Sequence, residues 1–208
     1  MRYLVFNPTW TVPPGIFYQD ILPKAKKNPS YLTQNHMRLL DRSGRTVNID
    51  AIDWSTATAD HFPYTVRQDP GLDNALGRMK FMFPNKHLVY LHDTPSKDLF
   101  ERSQRTFSSG CIRVERPLEL AELLLDDADN WNREHIQQVL NSGQTHTVFL
   151  KEPLPVLLYY WTAEADETGR VQFREDIYGR DRWVLKALEE NLRLLMPEPA
   201  TQQNATLE

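Results

Sequence analysis

A single cysteine, Cys111, among 208 residues excludes an intrachain disulfide and any site built from several thiolates. The 6 histidines show no HExxH spacing, and the 8 glycines form no phosphate-cradling loop, so neither metal hydrolysis nor dinucleotide binding has sequence support. Basic excess is missing too: 24 Lys plus Arg stand against 28 Asp plus Glu. The resulting net charge of −4 supplies no field to gather nucleic acid or anionic lipid. No stretch approaches the ~18 apolar residues of a membrane span. The apolar start ends at Asn7-Pro8, too soon for a signal-peptide core of roughly 7–15 residues, so nothing in the chain as written predicts export. Repeats, heptads and low-complexity blocks are also lacking. What remains is ordinary for a globular chain, 40% hydrophobic and 25% charged, enough for a hydrophobic core without covalent staples.

The patterning predicts one domain over residues 1–196 and a disordered tail over 197–208, where periodicity is lost. Tyr3 to Phe6 reads as a buried strand, and Ile16 to Lys27 as a short helix interrupted at Pro23. From Asn28 to Arg67 the chain is polar and carries a hairpin around Asp41-Arg42-Ser43-Gly44, which predicts a surface excursion from the main core. Strands are expected at Arg78–Phe83 and His87–Leu91, then at Thr145–Leu150, Val156–Thr162 and Arg170–Phe173. Helices are expected at Pro117–Asp126, at Asn132–Leu140 and, amphipathic and closing the domain, at Arg182–Leu195. Short strands mixed with a few helices predict a β-rich α+β fold.

Chemistry concentrates in two segments, His92-Asp93-Thr94-Pro95-Ser96 and Ser108-Ser109-Gly110-Cys111-Ile112-Arg113-Val114. A free thiol is only a few per cent ionised at neutral pH, so attack on an amide needs a base. An imidazole at the end of a strand can take the thiol proton and return it to a leaving amine, which makes His92 the partner of Cys111. Gly110 permits a tight turn that exposes the sulfur, and the Gly110 and Cys111 N–H groups are candidate oxyanion donors. Ser108 and Ser109 are placed to brace that turn. Arg113 sets a permanent cation near the nucleophile, for the thiolate or for a substrate carboxylate. Against this, a lone cysteine most often packs as an inert hydrophobe, and Arg113 is as readily a surface ion-pair partner. The turn-into-strand context of Cys111 favours the chemical reading.

Tyr90-Leu91-His92-Asp93-Thr94-Pro95, followed 19 residues after His92 by Cys111 within Ser108-Ser109-Gly110-Cys111-Ile112-Arg113-Val114, resembles the signature of the L,D-transpeptidase (YkuD-type) domain. The blocks Phe6 to Pro14, Asn74 to Phe81 and Asp176 to Asp181 resemble the large periplasmic enzymes of Gram-negative bacteria, and the likeness covers most of residues 3 to 183.

The resemblance implies a β-sandwich-like domain with peripheral helices, in which residues 30–70 form a capping insertion that orders over the cleft. It implies catalysis by Cys111 and His92, an oxyanion hole at the Gly110-Cys111 backbone supported by Ser108, Ser109 and Arg113, and substrate contacts from Tyr90, Asp93, Met79 and Phe81. The substrate would be peptidoglycan stem peptides, joined through a cysteine thioester with release of D-Ala, with no metal or other cofactor. Location would be periplasmic. The subgroup's additional N-terminal strands and export region are missing before Tyr3, which predicts a fragment or truncated product. A non-catalytic peptidoglycan-binding remnant and a Cys-His peptidase or L,D-carboxypeptidase remain alternatives.

Overall fold

The computed structural model describes residues 1–58, 61–108 and 110–195, apart from the side chains of 191–195. They fall into two compact units that divide between Val156 and Leu157, where the sequence pattern predicted one domain through residue 196. The expected tail at 197–208 lies outside the described residues.

The first unit holds two sheets. Strands β1 (Tyr3–Phe6), β6 (Met79–Met82), β7 (Leu91–His92), β8 (Ile112–Arg113) and β9 (His146–Phe149) form one, in the order β8-β7-β6-β1-β9. All its pairings are antiparallel except β7 with β8. The two-residue period of the strands sorts side chains between its faces. Leu4, Phe6, Met79 and Phe81 turn inward and pack with Ala121 and Leu125 of α4 (Pro117–Leu125) and Ile136 and Leu140 of α5 (Arg133–Asn141). Pro117 opens α4 where its missing N–H is harmless, and Asn132 caps α5 by accepting from the His135 N–H. Burying side chains such as Phe6 and Phe81, both 0% exposed, stabilises this core by about 2–3 kcal/mol each.

The second sheet corrects the expected surface excursion. Strands β2 (Trp10–Thr11), β3 (Met37–Leu40), β4 (Thr46–Val47) and β5 (Thr65–Gln68) assemble in the order β2-β5-β3-β4. They enclose a core of their own. Leu32, Met37, Leu39, Trp54 and Val66 from the polar-looking segment pack against Phe17, Ile21, Leu22 and Ala25 of the preceding helical stretch. That stretch runs as α1 (Pro14–Ile16), a π-turn (Phe17–Ile21) and α2 (Leu22–Lys27), so the chain absorbs Pro23 by widening a turn ahead of it. Helix α3 (Ser30–Gln34) follows and leads into β3. The apolar residues were too sparse along the sequence to show this core, because five of its twelve buried residues, Val12, Phe17, Ile21, Leu22 and Ala25, come from outside residues 30–70.

Buried amides join the two sheets. Asn74, 0% exposed, donates to the Pro8 and Asp69 carbonyls and accepts from the Leu76 N–H. Gln68 accepts from the Ala75 N–H and donates to the Asn35 and Asp73 carbonyls. These bonds fix the stretch that feeds β6.

In the second unit, β10 (Ala163–Ala165) and β11 (Val171–Phe173) form a hairpin ahead of α6 (Asp181–Leu195). The strand expected at Val156–Thr162 is irregular, with the paired residues one step later.

Candidate active site

Register gathers the site. Lys80 on β6 lies opposite His92 on β7, and His92 pairs with Arg113 on β8. The Ile112 N–H donates to the Tyr90 carbonyl at 3.1 Å, which sets Cys111 beside Tyr90. Alternation then puts Lys80, Tyr90, His92, Cys111 and Arg113 on the sheet face opposite the core. Ring contact between Tyr90 and His92, 5.9 Å between centroids, agrees with that placement. Cys111 is half-buried.

His92 is 6% exposed, and its Nδ1 lies 2.5 Å from the Asp93 carbonyl oxygen. A carbonyl only accepts, so Nδ1 carries the proton and Nε2 is left as the basic nitrogen. Burial pushes the imidazole below its ordinary range. The Asp93 carbonyl works against that shift, the Arg113 charge adds to it, the Asp93 carboxylate opposes it, and Lys80 adds a smaller push downward. The ring therefore rests neutral at pH 7, as a proton acceptor must.

Asp93, expected to touch substrate, is committed internally. Its carboxylate accepts from the Arg78 N–H at 2.8 Å, the Thr94 N–H at 2.8 Å and Lys97 Nζ at 2.6 Å. Gly77, with φ +61°, makes room for it: a Cβ there would fall 2.4 Å from the Asp93 carboxyl carbon. The carboxylate thus anchors the peptide whose carbonyl orients His92.

The turn that carries Cys111 is built by Ser108 and Gly110. Gly110 has φ +144°, a region open in practice to glycine alone. Ser108 Oγ accepts from the Gly110 N–H at 3.0 Å and donates to the Cys111 carbonyl at 2.5 Å. Gly110 N–H is therefore engaged, which corrects its assignment as an oxyanion donor in this state. Among the described residues nothing accepts from the Cys111 N–H. Ser109 lies outside the described residues. Arg113 keeps its Nη1 buried without an acceptor among the described residues, a donor available to an incoming carbonyl or carboxylate.

Met79 and Phe81, expected as substrate contacts, are 3% and 0% exposed in the core on the other face, which corrects that expectation: the alternation that brings Lys80 to the site turns its two neighbours away. Tyr90 does reach the site. Along its face runs a trough of about 410 Å³ whose walls include Tyr3, Lys80, Met82, Phe83, Leu88 and Tyr90. Sequence reasoning missed Lys80 and Gly77, although both sit inside a quoted block. Among the described residues no group of three or more His, Cys, Asp or Glu side chains could hold a metal ion, and no helix is long and apolar enough to cross a membrane.

The L,D-transpeptidase catalytic domain profile of the YkuD family matches residues 1–146. A Haemophilus influenzae protein named "Putative L,D-transpeptidase" is 42% identical over 181 residues, covering 87% of this chain and 36% of its own length. The chain therefore spans about a third of that relative. With the match running from β1 through the Cys111 turn to β9, the chain belongs to the YkuD L,D-transpeptidase catalytic domain family.

Proposed function

We propose that the chain is a peptidoglycan L,D-transpeptidase that works through a Cys111 thioester. The observation that carries this reading is the shared sheet face of Cys111 and a neutral His92 whose Nδ1–H is fixed on the Asp93 carbonyl. Nε2 of His92 takes the thiol proton as sulfur attacks the carbonyl of the L-centre of diaminopimelate in a tetrapeptide stem. The carbonyl oxygen becomes an oxyanion, for which the Cys111 N–H is the available backbone donor. The C–N bond then breaks, D-Ala departs with the proton held by His92, and a thioester remains. In the second half, the side-chain amine of another stem loses a proton to His92 and attacks the thioester. The sulfur leaves and is reprotonated, and the product is a link between two diaminopimelate residues.

The trough beside Tyr90 and Lys80 fits an amphipathic peptide, with aromatic and aliphatic walls and cationic heads at its edge. Arg113 Nη1 supplies a further donor for a stem carboxylate. The four-stranded sheet is assigned the capping role, as an already packed body and not a loose segment that orders later. Peptidoglycan as substrate places the action in the periplasm.

The test is incubation with disaccharide-tetrapeptide, followed by mass spectrometry of the products. Free D-Ala together with dimers joined through two diaminopimelate residues is the expected result. Shortened stems without dimers would reassign the chain as an L,D-carboxypeptidase. Unchanged stems, with the folded protein still retaining them, would make it a binding remnant.

A further inference from the structure

Lys80 has no part in the reaction just described, yet it lies in the middle of the site. It stands opposite His92 on the neighbouring strand, and its Nζ is 3.9 Å from the centroid of the Tyr90 ring. Tyr90 in turn neighbours Cys111 on the adjoining chain segment, where the Ile112 N–H donates to the Tyr90 carbonyl at 3.1 Å. Lys80 is half-buried, and among the described residues no carboxylate comes within ion-pair distance of it. A partly desolvated ammonium is costly unless an anion reaches it, and a flexible four-carbon stem could otherwise carry the charge to water. Here the head stays on the aromatic face, on the side of the sheet where the sulfur emerges.

We propose that Lys80 is a positioning residue that acts as counter-ion to the Cys111 thiolate, held at its station by the Tyr90 ring. The inference rests on Cys111 being the nucleophile. Burial lowers the Lys80 ammonium from its ordinary range and the charge of Cys111 raises it, the direction a counter-ion relation requires. His92 removes the proton and Lys80 stabilises the charge left on sulfur. That charge disappears when the thioester forms and returns when the acceptor amine expels the sulfur, so the same cation assists both half-reactions. Among the described residues, the other ionisable groups around this face are His92 on β7, Tyr90 just before it, Arg113 on β8, and Arg2 and Tyr3 on the β1 side of the trough. The Asp93 carboxylate is tied to Arg78, Thr94 and Lys97. Arg113 remains in any Lys80 variant, so removing Lys80 shifts the thiolate equilibrium without abolishing it.

The experiment measures the iodoacetamide alkylation rate of Cys111 against pH, by intact mass, in wild type, Lys80→Met and Lys80→Arg, each with and without His92→Ala. Lys80→Gln replaces Lys80→Met if the latter does not fold. The midpoint of the profile is expected to rise by about one pH unit in Lys80→Met, slowing alkylation at pH 7 roughly tenfold. Lys80→Arg should stay near wild type, and the Lys80→Met shift should persist in the His92→Ala background. An unmoved midpoint, an equal shift in Lys80→Arg, or a shift that vanishes without His92 would each overturn the counter-ion role while leaving the nucleophile assignment intact. A wild-type thiol no faster than a free one and indifferent to His92→Ala would overturn both.

Discussion

Replacing Gly77 with alanine tests how the orientation of His92 is built, because this glycine touches none of the reacting groups. Gly77 and Gly44 both have positive φ, +61° and +81°, so alanine at either meets the same left-handed strain of about 1 kcal/mol. They differ in what surrounds them. The new Cβ at Gly44 has nothing within 4 Å, whereas at Gly77 it would fall 2.4–2.6 Å from three atoms of the Asp93 side chain. Asp93 is 8% exposed, so its carboxylate must yield, weakening three hydrogen bonds, one of them to Lys97. Bonds to a charged group contribute about 1.5–3 kcal/mol each. Partial loss of the three puts Gly77→Ala at about 4 kcal/mol destabilised and Gly44→Ala at about 1 kcal/mol. Urea unfolding followed by tryptophan fluorescence measures both. The displaced Asp93 peptide also carries the carbonyl that holds His92 Nδ1, so D-Ala release should fall about tenfold or more in Gly77→Ala and little in Gly44→Ala. Equal stability losses in the two variants would refute the steric argument, and full turnover in a folded Gly77→Ala would refute the link to His92.

Because burial lowers the His92 pKa, the acid limb of kcat/KM should lie below the ordinary imidazole value of about 6.5, as read from a pH–rate profile. The same shift acts on stability: as pH falls through about 6.5 toward the folded value, the unfolded chain gains a proton that the native ring refuses. Urea midpoints should therefore decline across that window, and His92→Gln should flatten the decline. Gly110→Ala meets no contact closer than 3.9 Å, but cannot keep φ +144° without strain. Turnover should fall roughly 10- to 100-fold while the unfolding midpoint stays near wild type, and a fully active variant would contradict the role given to this turn. Leu39→Ala, at a site 0% exposed in the four-stranded sheet, should cost about 2–5 kcal/mol by urea titration, and a loss under 1 kcal/mol would mean that this body has no packed core.

Local signals in the sequence reached far where one element determines its own structure. Tyr3 to Phe6, the Asp41–Gly44 turn, Pro117 at the start of α4 and the Asn132 cap each carry their cause within a few residues. The Cys111 turn was legible for the same reason, since Ser108 and Gly110 act on Cys111 within three positions. Long-range features were not legible. The four-stranded sheet drew a third of its buried core from Phe17, Ile21, Leu22 and Ala25, upstream of the polar segment. Lys80 gains its meaning only through register with His92, and Gly77 only through a side chain 16 residues on. Met79 and Phe81 show the converse: their block signalled the family, but strand alternation assigns them to the core.

The central claim, that Cys111 is a nucleophile activated on this sheet face, is tested most directly by intact-mass spectrometry after exposure to a carbapenem, whose strained amide a reactive thiol opens and retains. One adduct per chain is expected, mapped to the peptide containing Cys111, absent in Cys111→Ala and formed much more slowly in His92→Ala. An unmodified wild-type protein, or an adduct that survives in Cys111→Ala, would contradict the account.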